Sequence, residues 1–200
     1  MADYKKPDYW QQKAKKEGFP ARSVYKLIEI DEKFSLLKPK IRILDLGSAP
    51  GSWSLYILRK IHDVFLVSVD LSPLSRQFDK GLFDSENFCF IQGDFINPNV
   101  RNVILSKGPF NLILSDAAPS TTGNRLIDTA RSFELAETAV SYAADALSSK
   151  GSLAVKLFQS GDSSELLKSL RLIFNSAKSY KPNACRSDSF ETYFLGQGKK

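Results

Sequence analysis

Two hundred residues, 42% hydrophobic and 25% charged, match the composition of ordinary globular domains and suffice for one sizeable core, so a single domain over residues 1–200 is expected. The 28 Lys and Arg against 22 Asp and Glu leave a net charge of +6, a basic excess that suits a polyanionic partner. Cys89 and Cys185 are the only cysteines, far apart and in no CxxC or Cys/His cluster, so they are expected to be free thiols, and no metal site is expected. The leading MADYKKPDYW has no apolar core of a signal peptide, and no run of about 18 apolar residues occurs. A cytoplasmic protein without a membrane partner is the expectation.

Charge is concentrated at the start. Residues 1–26 carry Lys5, Lys6, Lys13, Lys15, Lys16, Arg22 and Lys26 against Asp3, Asp8 and Glu17, with Tyr4, Tyr9, Trp10, Phe19 and Tyr25 between them. Segment 1–20 therefore has what contact with RNA needs, basic groups for phosphates and aromatic faces for unpaired bases, although a solvated tail with a few aromatics packed on the domain fits the same residues. Pro20 then opens a helix over about 21–36, with Val24, Leu27 and Ile28 on one face. A strand over 41–47, the turn Ser48-Ala49-Pro50-Gly51 and a helix through SWSLYILRKIH follow.

DVFLVSVD (63–70), NFCFIQGD (87–94) and FNLILSDAAP (110–119) each read as an apolar strand closed by an acidic residue. Helical spacing returns over 132–148, and a strand is expected over 152–158. A helix capped at Asp162 and two strand-like segments near 177–183 and 190–196 complete the chain. Strands alternating with helices predict an α/β fold, a mainly parallel doubly wound sheet covered on both faces. Ligands of such sheets bind outside the carboxyl ends of the strands, where Asp70, Asp94 and Asp116 would stand.

The turn Asp45-Leu46-Gly47-Ser48-Ala49-Pro50-Gly51 is glycine-rich without being GxGxxG. Asp45 in it suits a cationic ligand with an amino-acid end better than a pyrophosphate, which argues against a nicotinamide-dependent oxidoreductase. Asp70 is placed to accept hydrogen bonds from ribose hydroxyls. Trp53 is either core or a wall of the cofactor pocket.

The order ARSVYKL, DLGSAPGSW, VDLSP, QGDF, LSDAAPSTTG, VKLFQ and SFETYFLG resembles the FtsJ/RrmJ family of ribosomal RNA 2′-O-methyltransferases from about residue 9 to the end. The resemblance implies a seven-stranded, mostly parallel, Rossmann-like methyltransferase using S-adenosylmethionine. Gly51 and Trp53 would hold the methionine end, Asp70 the ribose, Asp94 the adenine side, and Asp116 the cofactor near its sulfonium; Asp45 and Gly47 complete the expected cofactor loop. Ser52 stands where the bacterial pattern has a second Gly, and AAPSTTG (117–123) where it is nearer MAPNMSG. Neither departure removes a charged group.

A ribose 2′-hydroxyl is a poor nucleophile and must be aimed at the methyl group while its proton is managed. Lys156 lies within an apolar strand, where a charge is costly unless it has a purpose, although a lysine at a strand end can also reach solvent. By the resemblance a Lys-Asp-Lys-Glu tetrad falls on Lys26, Asp116, Lys156 and Glu191. Lys156 would deprotonate or orient the hydroxyl, with Lys26 as its cationic neighbour and Asp116 and Glu191 fixing both ammonium groups. The implied substrate is RNA, a uridine of large-subunit ribosomal RNA in the ribosomal particle, met by a monomeric enzyme. Transfer RNA, messenger caps and a non-catalytic RNA-binding role are the alternatives.

Overall fold

The computed structural model describes residues 9–159, 163–186 and 189–200. Seven strands form one sheet: β1 (Ile41–Leu46), β2 (Val64–Asp70), β3 (Phe88–Gln92), β4 (Phe110–Ser115), β5 (Leu147–Phe158), β6 (Phe174–Tyr180) and β7 (Glu191–Lys199). Their spatial order is β3-β2-β1-β4-β5-β7-β6. The first five pair in parallel, and β7 inserts antiparallel between β5 and β6. The chain thus works outward from β1 in one direction and from β4 in the other, and the crevice between the carboxyl ends of β1 and β4 is the switch point where such sheets bind ligands.

Among the described residues six α-helices cover the sheet: α1 (Tyr9–Lys16), α2 (Val24–Phe34), α3 (Ser52–Lys60), α4 (Pro98–Leu105), α5 (Arg125–Ala146) and α6 (Ser163–Ile173). Strand side chains alternate between faces. Ile43, Leu112, Leu114 and Ala154 pack under α1–α3, while Leu44, Ile113, Leu153 and Val155 pack under α4–α6. Burial on both faces explains why these strands read as continuous apolar runs rather than as alternation.

Several boundaries differ from the sequence expectation for local reasons. Pro20 does not open α2; residues 20–23 form a turn, in which the Ala21 N–H donates to Ser52 Oγ at 2.8 Å and ties it to the start of α3. Helix α5 begins seven residues earlier than its apolar spacing suggested. Asn124 caps it through its side chain, accepting from the Leu126 N–H at 3.1 Å, and Leu126 itself is 81% exposed, so the first turns lack a core-facing stripe. Helix α4, also unforeseen, has the Asn97 side chain as cap and Pro98 at its first position. The expected cap at Asp162 lies outside the described residues.

Of the aromatics of the basic lead, Trp10, Phe19 and Tyr25 are committed to packing, and Tyr4 lies outside the described residues. Phe19 and Tyr25 are buried, Trp10 stacks on Tyr25 at 5.0 Å between centroids, and the Lys13 ammonium lies 4.7 Å from the centre of the Tyr25 ring. Lys15, Lys16 and Tyr9 remain exposed. No helix among the described residues is long and apolar enough to cross a membrane.

The β6–β7 edge depends on one small residue. A Cβ on Gly196 would come within 2.3 Å of the Phe174 ring, which is itself buried. Gly196→Ala is expected to cost ~1–3 kcal/mol through overpacking, read as a lowered denaturant midpoint at unchanged slope; an unchanged midpoint would show that the Phe174 ring can give way.

Candidate active site

Antiparallel insertion of β7 decides the centre of the site. Its register sets Tyr193 opposite Lys156 and Glu191 opposite Phe158. Tyr193 and Glu191, two residues apart, share a face, and Lys156 belongs to that same face, toward α2. Asp116 follows β4 immediately, and Lys26 descends from α2. Sequence positions spanning 165 residues therefore converge.

Asp116 is the hub. Its Oδ1 lies 2.9 Å from Lys156 Nζ and 3.9 Å from Lys26 Nζ, and accepts the Tyr193 hydroxyl at 2.5 Å. Lys156 Nζ also donates to the Asp116 main-chain carbonyl at 2.5 Å. Lys26 Nζ donates to Glu191 Oε2 at 2.7 Å. Burial would push the Asp116 carboxyl up, but the Lys156 and Lys26 ammonium groups and the Tyr193 hydroxyl outweigh it and hold the carboxyl below its usual range. Burial likewise works against the Lys26 ammonium, yet Asp116 and Glu191 more than compensate and raise its pKa. Tyr193 is driven well above the ordinary tyrosine value by burial and by Asp116. Lys26 and Lys156 thus share the Asp116 carboxylate, which lies between them.

Tyr193 was not foreseen as part of this cluster, although it stands in the SFETYFLG stretch; its place two residues beyond Glu191 on a strand was the available signal. It also explains Trp53. The indole is 2% exposed, donates from Nε1 to the Ser23 carbonyl at 2.8 Å, and packs on Tyr193 at 5.9 Å. Trp53 therefore sits in the core rather than on a cavity wall, bracing the start of α2, and so Lys26, against the strand that carries Tyr193.

Two cavities open beside the hub. One, of about 560 Å³, lies over the switch point and is lined by Gly47, Asp70, Asp94, Asp116, Arg131 and Glu134 among others. Its floor is a backbone contact: Gly47 has φ +75°, and a Cβ there would lie 2.6 Å from Ala117 Cα. Asp70 accepts from the Ala49 N–H at 2.9 Å through Oδ2 and from the Ser72 N–H at 2.8 Å through Oδ1, which fixes the glycine-rich turn and leaves further lone pairs for a ligand. Asp94 is exposed, with Oδ1 accepting from the Ile96 N–H at 2.9 Å.

Gly51 stands behind this wall in left-handed conformation, φ +103°, against Phe83. Asp45 is also behind it, fully buried. Its Oδ2 accepts from Ser54 Oγ at 2.9 Å, and Oδ1 has no hydrogen-bond partner among the described residues. Of the residues expected to hold a cofactor, Gly47, Asp70, Asp94 and Asp116 line the cavity, while Asp45, Gly51 and Trp53 do not.

The second cavity, about 540 Å³, has a different character. Arg22, Lys26, Arg125 and Arg186 line it with Phe158, Phe190 and Glu191. Asp116 belongs to the first cavity and contacts Lys26 of the second, so the two meet at the hub. No group of acidic, cysteine or histidine residues suited to a metal occurs among the described residues.

Comparison with known proteins decides what this arrangement belongs to. The model of the FtsJ-like methyltransferases matches residues 19–199. The chain belongs to the FtsJ-like methyltransferase family. It is 47% identical over 194 residues to ribosomal RNA large subunit methyltransferase E of Treponema denticola, covering 96% of this chain and 95% of the relative. It is 45% identical over 190 residues to the protein of the same name from Borrelia garinii subsp. bavariensis, covering 95% of each. Among solved structures it resembles a ribosomal RNA methyltransferase of Plasmodium falciparum, with a TM-score of 0.76 and 26% identity over 90% of this chain and 98% of that one. The fibrillarin/Nop5p complex, at TM-score 0.57 and 18% identity over 81% and 74%, shares the fold alone. This FtsJ-like chain is a methyltransferase.

Burial pushes the Asp45 carboxyl up to about 7; the Ser54 hydroxyl opposes the shift, and the Asp116 and Asp70 charges add to it. An acid raised in the folded state binds its proton more tightly there, so stability is full below the unfolded value and falls as pH rises toward 7. Asp45→Asn should remove that fall and gain on the order of 4 kcal/mol over the native chain above pH 7, with little difference near pH 4. Denaturant melts across pH test this; parallel profiles for the two proteins would refute it.

Proposed function

We propose that this chain transfers a methyl group from S-adenosylmethionine to a ribose 2′-hydroxyl of large-subunit ribosomal RNA, a uridine by the family resemblance. One observation carries the reading: Asp116 lines the acidic cavity at the switch point, and the same carboxylate holds Lys156 at 2.9 Å and meets, at 3.9 Å, Lys26, which lines the basic cavity. A methyl donor on one side and a polyanionic acceptor on the other would meet there. The relatives named ribosomal RNA large subunit methyltransferase E favour ribosomal RNA over transfer RNA or a messenger cap.

The donor set suits the cofactor. Asp70, Asp94, Asp116 and Glu134 against Arg131 favour a ligand with cationic groups and hydroxyls and disfavour a pyrophosphate. Asp70 would take the ribose, Asp94 the adenine side, and Asp116 the region near the sulfonium, with Gly47 letting the Ala117 backbone close the floor. Bound there, S-adenosylmethionine supplies an electrophilic methyl on a sulfonium.

Lys156 Nζ is assigned to the 2′-oxygen. A lysine ammonium has three donor hydrogens, and the Asp116 carbonyl and carboxylate fix its position while leaving capacity for a third partner. So held, it orients the oxygen toward the methyl carbon and stabilises the charge on that oxygen as its proton departs to water. Lys26, pinned between Glu191 and Asp116, adds positive potential, and Arg22 and Arg186 at the basic cavity suit the flanking phosphates. The enzyme is proposed to act as a single copy in the cytoplasm, on RNA within the ribosomal particle.

Lys156→Ala should lower the single-turnover methylation rate of undermethylated large subunits by ~10²–10⁴-fold, with cofactor affinity kept in calorimetry. A normal rate would remove Lys156 from the reaction.

Exposed Lys15 and Lys16 of α1 extend the basic surface, and this segment is proposed to touch RNA. A Lys15→Glu, Lys16→Glu variant should bind RNA more weakly, with a salt slope shallower by about 1 for each phosphate it no longer neutralises. Filter binding across a salt series reads both quantities, and an unchanged affinity and slope would exclude α1 from the interface.

A further inference from the structure

Phe190 immediately precedes Glu191, whose carboxylate takes the Lys26 ammonium. Its side chain is among the few large apolar groups left open, 47% exposed, and it lines the basic cavity. A single exposed phenylalanine needs no explanation. This one is held: the Arg125 guanidinium, from the first residue of α5, lies 3.8 Å from the ring centre. The contact joins opposite walls of the cavity, the N-terminus of α5 and the segment entering β7. Arg125 covers one ring face, and Phe190 still keeps 47% of its surface exposed at the cavity, room for a planar ligand.

The chemistry of that ligand follows from the surroundings. Guanidinium groups of Arg22, Arg125 and Arg186 ring the cavity together with the Phe190 ring. Cations for phosphates around an aromatic face for a base are what an unpaired nucleotide requires, and an aromatic face accepts any of the bases. Position adds the rest. Phe190 adjoins the residue that anchors Lys26, so a base on its ring belongs to a nucleotide whose sugar lies at the hub.

We propose that the Phe190 ring, steadied by Arg125, is the surface on which the base of the target nucleotide stacks while its ribose 2′-oxygen meets Lys156. The inference rests on the proposed methylation of RNA and adds to it the residues that receive the base. Phe190 contacts substrate directly; Arg125 is a positioning residue that acts through the ring. Stacking on one aromatic face is tolerant of base identity, so this contact sets reach and orientation rather than a preference for one base.

The test uses the full chain, S-adenosylmethionine and undermethylated large ribosomal subunits. Phe190→Ala should lower kcat/KM ~10–100-fold, while Phe190→Tyr recovers it to within about 3-fold of the native value because the stacking face is kept. Arg125→Ala should raise KM more than it lowers kcat, since it loosens the ring without removing it. Calorimetric affinity for S-adenosylmethionine should be native in all three variants, which also reports that each is folded. As a direct probe, Phe190→Trp should show fluorescence quenched by a short single-stranded oligoribonucleotide beyond any change seen in the native protein with its own Trp10 and Trp53. Native kcat/KM in Phe190→Ala, failure of Phe190→Tyr to recover it, or no added quenching in Phe190→Trp would overturn the proposal. If the native chain itself fails to methylate the subunits, the proposed function falls instead, and the two failures are told apart by that control.

Discussion

Everything in the site depends on keeping one buried carboxylate charged. The Asp116 side chain, at the end of β4, keeps 14% of its surface exposed, at the cavity, and an isolated charge so placed would be costly. Two lysines and a tyrosine share its Oδ1, at 2.9, 3.9 and 2.5 Å. Each partner is itself buried and would be a liability alone. The cluster is therefore cooperative: removing any one member leaves the others with uncompensated charge or unmet hydrogen bonds. Its geometry is held by the fold, because the partners come from α2, β5 and β7 and have no local route to one another.

That constraint gives the antiparallel strand its importance. A five-stranded parallel sheet would supply Asp116 and Lys156 but leave them with nothing opposite. Inserting β7 places Tyr193 beside Lys156 and carries Glu191 within reach of Lys26. Trp53 closes the circuit, linking the Ser23 carbonyl at the start of α2 to the Tyr193 ring. A tryptophan just beyond the glycine-rich turn thus braces α2 and β7, and the two sides of the hub are coupled through packing as well as through Asp116.

Much of the frame was legible in the sequence because central parallel strands buried on both faces must be apolar throughout, and each such run ended near Asp70, Asp94 or Asp116. Lys156 was legible for the same reason, as a charge inside an apolar strand. Lys26 and Glu191 carried no such signal. A lysine on a helix and a glutamate at a strand start look like solvated surface until tertiary structure buries them, and only the resemblance singled them out. The first turns of α5 were illegible for a related reason: Arg125, Leu126 and Ile127 project to solvent, so no periodic stripe marks them. Arg125 and Phe190 are silent in the sequence for the same cause, each an ordinary surface residue until the fold sets one upon the other.

The charges around the hub are sorted, and the sorting bears on both function and stability. Carboxylates dominate the cavity over the switch point, and guanidinium and ammonium groups dominate its neighbour. A polyanion is drawn toward the second and repelled from the first, so the same fields sort anionic from cationic ligands between the two cavities. The arrangement carries a cost. Asp45, buried beneath the acidic side with Oδ1 unpartnered among the described residues and its carboxyl raised to about 7, holds a charge poorly at neutral pH. Its one hydrogen bond, accepted from Ser54 Oγ at 2.9 Å, offsets only part of that burial, so the carboxyl costs most stability where it is ionised, above pH 7.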